Sequence, residues 1–244
     1  LWAALDPSLD VLNLYSSDTE VHLFKDASEV DESLRKNFQK LFYTATRKNS
    51  LKKVMLEKTP LNVYRVNYIA TLSRFPKFIN MVRNGVDVVE SITRLAAVNN
   101  YKILGKPRLN QWWGVGDVKW NCLASLAVER GTISQAAIGD MDLRSRAAVE
   151  WITSIEMGQQ FSDELGKSWM DVRYEHLVES PSDTLKSIAE FFDLGVDHDW
   201  LDASQSVLKY RPQNCAAIRL HKEIYQKFNK LQTELGYDSL AVEF

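Results

Sequence analysis

Arg83 stands eight residues before Ser91 in the segment MVRNGVDVVESITR, residues 81–94. The apolar run KFINMV, residues 77–82, reads as a strand and Asn84-Gly85 as a turn. The periodic stretch beyond reads as a helix over about 86–97. That arrangement delivers Arg83 to the carboxyl end of a strand and puts Ser91 two turns into the next helix. A guanidinium offers two parallel charged donors and a serine adds a directional one, so the pair can grip a phosphate dianion. The same residues have a plain structural reading, in which Arg83 pairs with Asp87 or Glu90 and Ser91 is an ordinary helix residue. Arg94, three residues beyond Ser91, adds a second basic group.

Other groups stand at comparable positions. Lys58 follows the apolar run KKVML, residues 52–56. An ammonium there is a chemically notable group at the end of a candidate strand; the alternative is a surface lysine paired with Glu57. Glu20 and His22 lie in DTEVHLF, residues 18–24. In an extended stretch positions 20 and 22 point to the same side, so a carboxylate and an imidazole can face one pocket. A carboxylate there can reach a hydroxyl within hydrogen-bond distance; the alternative is a solvated loop charge and a partly buried ring. Tyr174 closes a further strand-like run, SWMDVRY, residues 168–174. Trp112, Trp113 and Trp120 fall in a Gly- and Asn-rich stretch. Their flat apolar faces can line an acceptor pocket or anchor the stretch onto the core.

The elements that must position these residues alternate. Strands are expected at 11–14, 52–56, 77–82 and 168–174. Helices are expected at 28–47, 63–74, 86–97, 142–165, 181–193 and 219–235, with a helical fragment at 1–5. This alternation implies βα units: a three-layer α/β/α fold with a mostly parallel sheet covered on both faces. Ligands on such sheets bind at the carboxyl ends of the strands. Residues 98–120 read as a long loop region, and 98–141 as a Trp-rich insert in a single domain spanning 1–244.

Composition narrows the classes. The chain has 244 residues, 45% of them hydrophobic, enough for a substantial core. Its formal net charge of −2 gives no bulk attraction to nucleic acid or anionic membrane. No apolar run is long enough for a transmembrane helix. Cys122 and Cys215 form no metal-ligand spacing, so no metal is expected. A reducing, cytoplasmic compartment is the plainer expectation, with one disulfide possible and self-association left open. The opening LWAAL lacks a basic region and does not read as a signal peptide.

Several of these strings together resemble the sulfotransferases that use 3′-phosphoadenosine 5′-phosphosulfate. The family's strand-turn-helix RDGRDVAxSxxR holds the donor's 3′-phosphate, which implies that role for Arg83 and Ser91, with Arg94 nearby. Asn84 replaces the commoner aspartate and Val86 the commoner arginine. EKTPLN, residues 57–62, resembles the EKTP or EKSP element of the heparan sulfate and bacterial branches, implying that Lys58 points at the sulfuryl group. EVHLF, residues 20–24, resembles EVHFF, implying Glu20 as general base assisted by His22. A further family acid is Lys25 here, with Asp26 beside it. RYEHL, residues 173–177, resembles RYEDL and places Tyr174 near the 3′-phosphate. Residues 209–238 resemble the C-terminal pattern of a basic-aromatic-basic loop followed by a helix ending in LGYD. Lys209 and Arg211 are its lid cations, although the usual Gly-Lys-Trp-Arg is Leu-Lys-Tyr-Arg here.

The family's phosphosulfate loop, of the type PRSGTT, has no counterpart in these residues, and the chain is expected to start inside the helix that follows it. The acceptor side carries no Lys/Arg stripe, so the expected acceptor is a small, fairly neutral hydroxyl or amine compound, such as a natural product, a sugar or a glycolipid. Two other classes remain open: a non-catalytic binding module of the same fold, and a nucleotide-kinase relative. The second would need a Walker lysine and a Mg²⁺-binding carboxylate, and neither is visible.

Overall fold

The computed structural model describes Phe24 and residues 27–47, Leu56, and residues 58–73, 75–98, 102–103, 106–107, 112–209 and 216–244. In chain order the helices are α1 Glu32–Arg47, α2 Val66–Leu72, α3 Gly85–Val98, α4 Val118–Glu129, α5 Leu143–Leu165, α6 Tyr174–Glu179, α7 Pro181–Phe191, α8 His198–Val207 and α9 Tyr225–Glu234. The strands are β1 Phe78–Val82, β2 Lys102–Ile103, β3 Lys106–Pro107, β4 Trp169–Arg173, β5 Ile218–Leu220 and β6 Ala241–Glu243. The chain is mixed α/β, helix-rich, with short parallel strand pairs. The expected strand at 11–14, residues 52–55 of the second and the fragment at 1–5 lie outside the described residues.

The structure divides into two compact units, one from Leu1–Pro76 with Arg94–Glu129, the other from Lys77–Thr93 with Arg130–Phe244. In the first, Asp31 caps α1 by accepting from the Leu34 amide at 2.7 Å. Phe38 of α1 packs with Tyr68 and Leu72 of α2, and Val30, Leu34 and Ile69 close over them. The stretch expected to be a loop contains the β2–β3 hairpin and the start of α4. Helix α4 buries Trp120, Leu123, Ala124 and Ala127. Their i, i+3, i+4, i+7 spacing is a helical stripe, masked in the sequence by the Gly, Asn and Trp just before it.

The second unit carries the two central strands expected from the sequence. β1 and β4 pair in parallel, in register from Phe78↔Trp169 to Val82↔Arg173. Helix α5 lies against β4. It starts on the Asp142 carboxylate, which accepts from the Ser145 amide at 2.7 Å, a cap of the kind that stabilises by about 1 kcal/mol. Its inner face buries Ala147, Ala148, Trp151, Ile152 and Ile155. Toward its far end Gly158 lets Asn80 of β1 come close: a Cβ there would sit 2.8 Å from the Asn80 amide nitrogen. That nitrogen donates to Asp171 of β4 at 2.8 Å. Residues 219 and 220, expected at the start of the last helix, belong to strand β5 instead, which pairs in parallel with β6. Ile218 and Leu220 are buried and Arg219 exposed, an alternation of period two, so the helix waits until Tyr225. Among the described residues no helix is long and apolar enough to cross a membrane.

Candidate functional site

Because β1 and β4 run in parallel and end on the Val82↔Arg173 pair, the next residues leave the sheet side by side. These are Arg83 and Tyr174. The Arg83 guanidinium lies 4.6 Å over the centre of the Tyr174 ring, a cation–π contact. Its Nη2 donates to the Asp87 carboxylate at 3.1 Å, in the first turn of α3. The ion pair that the plain structural reading expects is therefore present, together with an aromatic platform that it did not foresee. A guanidinium has five N–H donors. Asp87 takes one, and the buried Nε has no partner among the described residues. Ser91 is half-buried on α3 one turn beyond Asp87, and Arg94, exposed, is three positions further along.

The turn between Arg83 and α3 is held from inside. Asn84 is buried, and its side-chain oxygen accepts from the Val86 amide at 2.8 Å and more weakly from Asp87 at 3.4 Å, an N-cap. The Asn84 amide donates to Glu175 Oε1 at 3.0 Å and the Gly85 amide to Gln232 Oε1 at 2.8 Å. A helix N-terminus usually offers such N–H groups to an anion. Here the amides of residues 84, 85 and 86 each have a side-chain acceptor within the fold. Any anion at this end of the strands would therefore have to be met by side chains, such as that of Arg83. Gly85 is required by close approach: an added Cβ would lie 2.8 Å from both the Phe228 and the Trp151 rings. Those rings pack with centroids 4.8 Å apart, and the Trp151 indole N–H donates to the Arg83 carbonyl at 3.2 Å.

Beneath the turn lies a buried polar cluster. The second oxygen of Glu175 accepts from the Tyr237 hydroxyl at 2.7 Å. The Arg173 guanidinium lies 4.4 Å over the Tyr237 ring. Burial, reinforced by the bond to Glu175, pushes the pKa of the Tyr237 hydroxyl well above its ordinary value. The strings RYEHL and LGYD contain Glu175 and Tyr237, but sequence reasoning gave neither residue a role. Only the folded chain shows that the acid of one string bonds the phenol of the other.

The remaining expected site residues stand elsewhere. Lys58 is exposed, just before Thr59 and the short 3₁₀ turn Pro60–Tyr64. Lys209 is exposed two residues past α8. Trp113 and Trp120 are buried, with 3% and 2% of their surface exposed, and meet edge to face at 5.9 Å. Trp112 is half-buried with the Lys119 ammonium 4.4 Å from its ring centre. Of the three tryptophans, only Trp112 keeps part of its ring accessible. Glu20, His22 and Arg211 lie outside the described residues.

No protein-family model, curated protein or solved structure matches the chain.

Proposed function

We propose that this chain is a sulfotransferase, moving a sulfuryl group from 3′-phosphoadenosine 5′-phosphosulfate to a hydroxyl or amine of a small-molecule, sugar or glycolipid acceptor. The observation that carries the reading is the Arg83–Tyr174 pair at the shared carboxyl end of β1 and β4. The resemblance assigns both residues to the donor's 3′-phosphate, and they come together although 91 positions separate them, as between their neighbours Asn84 and Glu175. Unused guanidinium donors beside a helix whose first amides are already bonded suit a phosphate read by side chains. In this reading the strands belong to a three-layer, P-loop-like parallel sheet.

The chemistry follows from the residues in their proposed roles. Glu20, assisted by His22, takes the proton from the acceptor hydroxyl. The freed oxygen attacks sulfur in line, the sulfur–oxygen bond to the 5′-phosphate breaks, and 3′-phosphoadenosine 5′-phosphate departs. Lys58 stabilises the charge that collects on the sulfuryl and bridging oxygens as that bond breaks. Arg83, Ser91 and Arg94 hold the 3′-phosphate, Tyr174 supports Arg83, and Lys209 and Arg211 cover the donor. Trp112, Trp113 and Trp120 are assigned to the acceptor.

Calorimetric titration tests the reading. Binding of 3′-phosphoadenosine 5′-phosphate should exceed that of adenosine 5′-phosphate, which lacks the 3′-phosphate. Arg83→Ala should remove at least a tenfold advantage, since a charge-assisted hydrogen bond contributes ~1.5–3 kcal/mol. Equal affinities for the two nucleotides would overturn it. Binding without turnover of the sulfated donor would select the non-catalytic module.

A further inference from the structure

We propose that Glu175 is a positioning residue: its buried carboxylate clamps the Asn84 amide to the Tyr237 hydroxyl and so aims Arg83 at its ligand. Asn84 is the neighbour of Arg83 and Glu175 the neighbour of Tyr174, so the clamp repeats, one residue deeper, the contact made by the stacked pair. Arg83 meets Tyr174 through its guanidinium at 4.6 Å, and Asn84 meets Glu175 through its amide at 3.0 Å. The two contacts fix the strand-to-helix turn from both sides.

The cost of the arrangement argues for a role beyond packing. Glu175 has only 7% of its surface exposed. Taking a carboxylate out of water is unfavourable unless hydrogen bonds replace the lost solvation. Both its oxygens are occupied, one by the Asn84 amide and one by the Tyr237 hydroxyl. An apolar side chain at position 175 would avoid the desolvation but would leave both donors buried and unsatisfied. Gln232, with none of its surface exposed, braces the next residue by accepting from the Gly85 amide at 2.8 Å. Its amide nitrogen reaches back to the Asn84 side-chain oxygen at 3.3 Å and to the Asp238 carbonyl at 3.4 Å. The C-terminal helix and the segment after it thereby reach the base of Arg83. The hydrogen bonds that join Glu175, Gln232 and Tyr237 to residues 84 and 85 hold the turn in one geometry, and a bidentate grip on a phosphate needs its guanidinium in one geometry.

The ligand half of this inference rests on the sulfotransferase reading; the clamp itself does not. The experiment separates them by measuring amide hydrogen exchange at residues 84–86 in the unliganded full chain, and then affinity for 3′-phosphoadenosine 5′-phosphate. Glu175→Ala should speed exchange at Asn84 by at least tenfold while amides within α5 keep wild-type protection. It should also weaken the nucleotide by at least tenfold. Glu175→Gln should restore both to within about threefold, because its carbonyl accepts from the Asn84 amide and its amino group donates to the Tyr237 oxygen. Wild-type exchange at Asn84 in the alanine variant overturns the clamp. Wild-type nucleotide affinity in that variant, or a glutamine variant as impaired as alanine, overturns the positioning role. Should Glu175→Ala fail to fold, Tyr237→Phe, which removes one arm, is read by the same two measurements, with unchanged values overturning the proposal. Should the wild type bind no nucleotide, the functional reading fails and the exchange measurement alone decides the clamp.

Discussion

The guanidinium of Arg83 lies 4.6 Å over the ring of Tyr174, and the two residues are the first to leave a pair of parallel strands in register. The relationship follows from topology: parallel strands end at the same edge of a sheet, so whatever follows them must meet. The contact joins a charge that would bind an anion to a ring face that steadies the charge without neutralising it. Asp87 also holds the guanidinium, at 3.1 Å. Arg83 is thus held by two partners, with one N–H donated to Asp87 and its Nε buried without a partner among the described residues.

Replacing Tyr174 tests that division of labour. A cation–π contact contributes ~0.5–2 kcal/mol, so Tyr174→Leu should weaken binding of 3′-phosphoadenosine 5′-phosphate by roughly two- to thirtyfold. Tyr174→Phe keeps the ring face and should stay within about twofold of wild type. If phenylalanine were as damaging as leucine, the hydroxyl rather than the ring would be the active part.

Gly85→Ala should destabilise the fold. Its Cβ would meet two aromatic rings at 2.8 Å each, and those rings also pack on each other. Overpacking of this kind costs about 1–3 kcal/mol, read as a lower urea midpoint at unchanged slope. Gly158→Ala faces the same 2.8 Å but only against the amide end of Asn80, a movable side chain. The loss there should be the smaller of the two, and the reverse order would contradict the rigidity assigned to the Trp151–Phe228 pair.

How much of this was legible in the sequence depended on separation along the chain. Strands β1 and β4 were legible because apolar runs bounded by turn residues mark them, and α5 because its periodicity is long. That they run in parallel followed from the βα alternation, but which strands are neighbours has no local signal, so the meeting of Arg83 and Tyr174 came only with the fold. Strand β5 was not legible: three residues of alternation are too few to outweigh the helical pattern after them. Helix α4 was hidden by the composition of the stretch just before it. The bond between Glu175 and Tyr237 joins residues 62 positions apart. Neither string carries a local signal that its acid or its phenol turns inward, since that depends on which elements cover it.

The proposed chemistry separates binding from turnover. Lys58→Ala should lower kcat strongly with little change in nucleotide affinity, because its ammonium is asked to act on charge that exists only as the sulfur–oxygen bond breaks. Glu20→Gln should lose ~10²–10⁴-fold in kcat, the usual contribution of a general base, and keep the donor. A deeper loss in His22→Ala than in Glu20→Gln would exchange their roles. Normal turnover by the Lys58 variant would remove that lysine from the site.

Tyr237→Phe should be less stable than wild type at neutral pH by ~1–2 kcal/mol, since Glu175 loses a donor while remaining buried. The gap should depend on alkali. The hydroxyl's pKa is raised in the folded chain, so its contribution is present in full below the unfolded pKa of about 10 and is lost as pH rises from there toward the folded value. The two proteins should therefore converge above pH ~10 in urea titrations. A gap that stays constant through that range would mean that the Tyr237 hydroxyl titrates as it does in the unfolded chain.

Glu223 sets the opposite dependence on the acid side. Its carboxylate accepts from the Ser134 amide at 2.6 Å and from the Ser134 hydroxyl at 2.9 Å, tying the loop before the 3₁₀ turn Ala136–Asp140 to the segment that leads into α9. These two bonds hold the carboxyl below its ordinary pKa; desolvation opposes them slightly, and His221 and Lys222 add a smaller attraction. A lowered folded pKa means stability that is present above the unfolded value of about 4.3 and is lost as pH falls through the folded one. Glu223→Gln keeps the shape but exchanges charge-assisted bonds for neutral ones, which are about half as strong. The wild type should accordingly be the more stable protein from pH 7 to about 5, with the difference closing below pH ~4. Because hydrogen bonds rather than distant charges dominate, 0.5 M salt should leave most of that difference in place, whereas a surface ion pair would be screened away. Thermal melts of both proteins across that range at two salt concentrations decide the matter. A difference that persists unchanged at pH 2.5, or that vanishes with salt at pH 7, would show that the Ser134 bonds do not hold the Glu223 carboxylate.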